Sequence, residues 1–204
     1  MSDGEHRSNP RRPAFFSPAA LEAHGPAYDP TEEILVAHET ARALVRAGRA
    51  AADPDVTAKL VALVDEIGLS TLAELWSQRP ARSLPGALWR LYVLREWVRR
   101  TPDDASREYG AGIRFTGPNH AVAGAAEPPG PQEMSRLVDE VLRGVFEGDL
   151  AVALERAAAF CRVVAAGRAD LGSGDESAEQ AANVLSMGED LAACARLWRA
   201  DTLD

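Results

Sequence analysis

From Asp29 onward, apolar residues recur three and four positions apart, and no stretch alternates apolar with polar residues for the length of a strand. A chain patterned this way buries its apolar stripes by packing helix on helix, so the expected fold class is all-α, a bundle of about seven or eight helices. The starts of these segments carry helix-capping chemistry. "DPTEEILVAHETARALVRAGRAA" and "DPDVTAKLVALVDEIG" both open with Asp-Pro and early acids, which suit an N-cap, a first-turn proline and the helix dipole. Ile34, His38, Ala41 and Val45 form the stripe of the first. Val56, Leu60, Leu63, Val64 and Ile67 form that of the second, closed by Gly68. "STLAELWSQ" has capping-box spacing at Thr71 and Glu74.

"LPGALWRLYVLREWVRR", residues 84–100, has almost no polar side, so it reads as a central helix beginning near Ser83. Trp89, Val93 and Trp97, spaced by four, mark its expected core face, with Trp76 also in the core. "TPDDASREYGAG" follows with another cap and first-turn proline. Residues 113–130, "IRFTGPNHAVAGAAEPPG", break the pattern and read as one long internal loop. "PQEMSRLVDEVLRGVFEG" and "DLAVALERAAAFCRVVAAG", joined at Gly148-Asp149, read as an antiparallel helical hairpin, and "SAEQAANVLSMGEDLAACARLWRA" as the last helix. The expected organisation is a flexible arm at 1–28 and a single all-α domain at 29–204. Phe15, Phe16 and Leu21 are candidates for pinning that arm to the body.

The net charge is −9, unevenly spread. Residues 79–100 hold Arg79, Arg82, Arg90, Arg95, Arg99 and Arg100 against Glu96, a local +5, which leaves −14 for the rest. That acidic surround disfavours nucleic acid, whose phosphates need clustered positive charge. No run is apolar enough for a membrane span and no signal-peptide core opens the chain, so a cytoplasmic protein is expected. Cys161 and Cys194 belong to no C-x-x-C pair and read as buried free thiols.

Catalytic signatures are missing from the sequence. There is no phosphate-binding G-x-x-x-x-G-K-[ST], no strand-linked G-x-G-x-x-G, no H-E-x-x-H and no G-x-S-x-G. His6, His24, His38 and His120 lack metal-ligand spacing, so no catalytic residue, metal or cofactor is assigned. The alternative reading is a carboxylate–metal enzyme acting on a phosphorylated small molecule. It would draw on Glu32, Glu33 and Glu39, or on Asp139 and Glu140, because Mg²⁺ takes oxygen ligands.

The leading reading is a non-catalytic interaction or regulatory protein. Its candidate partner-binding residues are Arg95, Arg99 and Arg100 on the arginine-rich helix, His120 in the 113–130 segment, and Trp198 near the end of the last helix. Trp and Arg dominate protein interfaces. A protein partner is expected, and the abundant alanine, which lets helices approach closely, is compatible with a homodimer.

"LPGALWRLYVLREWVRR", "AEPPGPQE" and "VLRGVFEGDLAVALERAAAFCRVVAAGRA" together resemble a group of poorly characterised actinobacterial proteins, some labelled as RNA polymerase subunits. The resemblance covers about residues 80–168 and the terminal "CARLWR". It implies an actinobacterial cytoplasmic protein, and the label points to a transcription-associated role. The chain has no Asp-x-Asp-x-Asp loop to hold catalytic metal, so the implied role is accessory.

Overall fold

The computed structural model describes residues 30–127 and 129–204, so the expected arm at 1–28, with Phe15, Phe16 and Leu21, lies outside the described residues. Those described form ten α-helices and no strand. In chain order they are α1 (Pro30–Ala51), α2 (Pro54–Val61), α3 (Leu63–Ile67), α4 (Leu69–Trp76), α5 (Leu84–Arg100), α6 (Pro102–Ile113), α7 (Gly117–Ala123), α8 (Pro131–Glu147), α9 (Leu150–Leu171) and α10 (Asp175–Arg199). The all-α expectation holds, with two more helices than the sequence pattern marks.

One extra helix comes from a break. The expected helix over 54–67 is interrupted at Ala62, whose N–H is shared between the carbonyls of Ala58 and Leu60. The other lies inside the expected loop at 113–130. Pro118 occupies the first turn of α7, and Gly124, in the left-handed region at φ +76°, ends it. Seven residues with one buried side chain, Ala123, are too few to show a period in sequence.

Capping chemistry explains several starts. The Asp53, Ser83 and Asp149 side chains accept hydrogen bonds from the N–H groups of Asp55, Gly86 and Ala151. The Thr71–Glu74 box does not form. α4 begins at Leu69, and the Thr71 hydroxyl donates to the Ile67 carbonyl.

α9 is the centre of the bundle. It packs most extensively on α10 and α6, and also against α7 and α8, while α8 packs on α5, α6, α2 and α1. Its composition suits that place: Ala151, Ala153, Ala157, Ala158, Ala159, Phe160, Cys161, Val163 and Val164 are all buried. α5 is covered by α1, α4, α8 and α10. Its buried face is Leu84, Leu88, Leu91, Tyr92, Leu94, Arg95 and Val98. Trp89, Val93 and Trp97, expected in the core, are only half-buried. A spacing of four drifts about 40° per step, which carries that row to the margin. Trp76 is fully buried as expected, its indole N–H donating to the Thr40 hydroxyl at 3.2 Å. On α1 the stripe is Ala37, Ala41 and Val45, whereas Ile34 is 47 % exposed and His38 half-buried.

Both cysteines are buried free thiols, as expected. Burial pushes Cys161 up to about 12 and Cys194 up to about 11. It also raises the Tyr92 phenol, which donates to the Leu60 carbonyl at 2.6 Å. These groups fold protonated and ionise more readily once unfolded. The stability tied to that difference is complete below their ordinary values, near pH 9 for the thiols and 10 for the phenol, and is lost as pH rises towards the folded values. Urea midpoints are therefore expected to fall above pH 9. Cys161 alone contributes up to about 1.4 kcal/mol per pH unit, and Cys161→Ala should flatten the fall. A thiol reagent at pH 8 is expected to react with neither cysteine until the protein unfolds.

Candidate functional site

The arginine ladder of α5 divides into a buried and an exposed part. Arg95 is 2 % exposed. Its Nε donates to Asp139 Oδ1 on α8 at 2.6 Å, and its Nη2 donates to Asp65 Oδ2 on α3 at 3.2 Å. Burial works against the Arg95 charge, but the hydrogen bonds it donates to Asp139 and then Asp65 outweigh it and raise its pKa above the ordinary guanidinium value. Arg95, expected on a docking surface, is instead buried, fixing α3 and α8 to α5.

Arg99, one turn on, approaches the same two aspartates with Nη1 at 3.7 and 3.9 Å and stays 42 % exposed. It lines an open groove of about 460 Å³ with Ser135, Arg136, Asp139, Glu140 and Arg143 of α8. The two carboxylates in that lining are engaged by arginines outside it, Asp139 by Arg95 and Glu140 by Arg156 at 3.5 Å. Arg136 pairs with Glu133. Arg143 is exposed, with no hydrogen bond or ion pair to another described side chain. The groove thus presents three guanidiniums, one of them unengaged among the described residues, beside two carboxylates that already face arginines. Arg100 does not join it, and pairs along its own helix with Glu96 at 2.6 Å. Sequence periodicity could not reveal Arg136 and Arg143, because the seam between α5 and α8 brings together residues some forty positions apart.

His120 is on α7, not in a loop, and its side chain is 15 % exposed. Nδ1 hydrogen-bonds the Tyr109 hydroxyl at 3.0 Å and Nε2 meets Glu127 Oε1 at 3.1 Å. Tyr109 stacks on Phe160, and burial pushes its phenol up to about 12, so it is neutral at ordinary pH. With both ring nitrogens used, His120 ties α7 to α6 and to the segment leading into α8. Trp198 is half-buried against the core, with the Arg49 guanidinium 5.3 Å above its ring. Arg49 also donates to the carbonyls of Val145 and Gly148 at the end of α8, so Trp198 sits at a junction of three helices. The structure therefore does not gather the five expected residues into one site. Arg99 is the one that lies in the groove.

Glu32 and Glu33 line a second groove, of about 580 Å³, with Val36, Thr71, Glu74, Leu75 and Arg79. Glu39 is not among its lining residues. Among the described residues, no group of three or more His, Cys, Asp or Glu could hold a metal ion, and no helix is long and apolar enough to cross a membrane. Comparison with protein families, curated proteins and solved structures finds no match for the chain.

Proposed function

We propose that the protein is a non-catalytic interaction or regulatory protein of the cytoplasm, and that the arginine groove between α5 and α8 takes an acidic segment of a protein partner. The observation that carries this reading is the grouping of Arg99, Arg136 and Arg143 around one concavity whose carboxylates are already paired. A partner carboxylate entering there gains charge-assisted hydrogen bonds without displacing a short ion pair of Arg99 or Arg143. Arg95 supports the reading from below, since its hydrogen bond to Asp139 ties α5 to α8, the two helices that line the groove.

The test is charge reversal at positions that carry little of the fold. Arg99→Glu/Arg136→Glu/Arg143→Glu is expected to fold with an unchanged helical spectrum. It is also expected to weaken partner capture by roughly a hundredfold or more, since like charges facing each other cost several kcal/mol. Wild-type capture is expected to weaken with salt, as exposed charge pairs are screened. Equal capture by both forms would overturn the reading.

A further inference from the structure

The second groove differs from the first in chemistry. Its carboxylates are Glu32, Glu33 and Glu74, set against one cation, Arg79, whose Nη2 stands 3.8 Å from Glu33. Its apolar lining is Val36 and Leu75. Beside it, the first turns of α1 leave three consecutive apolar residues uncovered: Ile34, Leu35 and Val36 are 47, 56 and 42 % exposed. A lining that combines carboxylates with apolar side chains calls for an occupant that is basic and aromatic.

The chain itself holds such a segment just upstream. Residues 6–18, "HRSNPRRPAFFSP", contain Arg7, Arg11 and Arg12, no acid, and the pair Phe15-Phe16. Thirteen residues separate Phe16 from Pro30, where α1 begins, and Glu32 and Glu33 of the groove lie in that helix's first turn. Fully extended, that link reaches about 45 Å, and a tether of this kind holds its end at an effective concentration on the order of millimolar. We infer that the segment Arg11–Phe16 occupies this groove in the same chain, its arginines on Glu32 and Glu74 and its phenylalanines against Val36, Leu75 and the uncovered start of α1. The groove is then self-occupied, and an outside basic ligand must displace the segment to enter. This inference concerns a surface separate from the arginine groove and stands or falls independently of it.

The test uses the full chain with a nitroxide attached through Ala14→Cys, the two native thiols being buried. The expected result is paramagnetic loss of the amide signals of Val36, Thr71 and Leu75 in a chain carrying both the label and ¹⁵N. Arg11→Glu/Arg12→Glu should restore those signals, and adding Glu32→Arg/Glu74→Arg should abolish them again. No loss at these amides would overturn the inference. So would loss that appears equally when the label and the ¹⁵N are on different molecules, because the occupant would then be a second copy. Persistence of the loss through the Arg11→Glu/Arg12→Glu change would also overturn the assigned charge pairing.

Discussion

Gly167→Ala is expected to destabilise the protein by about 2–3 kcal/mol, against the usual effect of that substitution. In an ordinary helix interior, alanine is better than glycine by about 1 kcal/mol. Here α6 and α9 cross with their backbones in contact. A Cβ on Gly167 would lie 1.7 Å from the Glu108 carbonyl oxygen and 2.7 Å from the Gly112 nitrogen. Gly112 meets the reciprocal obstacle, 1.8 Å from the Val163 carbonyl oxygen. Backbone atoms cannot swing aside as a side-chain tip can, so the helices must separate. The same crossing holds the two hydrogen bonds of Arg168 to Glu108, at 3.0 and 2.8 Å, and the Tyr109–Phe160 stack. Separation loosens these as well. Gly110, also on α6, has nothing within 4 Å of the position its Cβ would take, so Gly110→Ala should be neutral or stabilising by up to about 1 kcal/mol. Urea midpoints of the two variants are expected to move in opposite directions. Equal shifts would mean that the helices are not in backbone contact.

Arg95→Ala is expected to cost about 3 kcal/mol, while Arg99→Ala stays within about 0.5 kcal/mol. Both arginines face Asp65 and Asp139, and the difference is depth: Arg95 is 2 % exposed and Arg99 42 %. Removing Arg95 leaves a cavity beneath the seam of α3, α5 and α8 and deletes two hydrogen bonds, at 2.6 and 3.2 Å. Asp65 and Asp139 keep access to water, 44 and 31 % exposed, so neither is stranded as a dry charge, and the penalty stays below that of a fully buried broken pair. Arg95→Met, which fills most of the volume, should recover about half of the loss. Denaturation at low and high salt checks the assignment, because burial shields the Arg95 pairs from screening.

These two sites also mark what the sequence can and cannot disclose. The all-α class, the starts at Asp53, Ser83 and Asp149, and the α8–α9 hairpin are readable because each depends on residues within a turn or two. The close approach of Gly112 and Gly167 depends on residues 55 positions apart, and neither glycine differs locally from Gly110. The split of the arginine ladder is hidden for the same reason. Arg95 and Arg99 are equivalent on a helical wheel to within about 40°, and only the arrival of Asp65 and Asp139 makes one structural and leaves the other at the groove. Trp89 and Trp97 mislead because they are apolar and evenly spaced, yet Leu88, Leu91 and Tyr92 fill the interior. His120 reads as part of a loop because α7 is too short to announce itself.

The most direct test of the arginine groove as a partner interface is site-specific photo-crosslinking in native lysate. A photoreactive residue is placed at Ser135, inside the groove, and separately at Ala182, an exposed position of α10, a helix in no substantial contact with α8. The expected result is one discrete crosslinked protein from Ser135 that is missing from Ala182 and disappears with Arg99→Glu/Arg136→Glu/Arg143→Glu. No crosslink from Ser135, or the same products after charge reversal, would contradict the account.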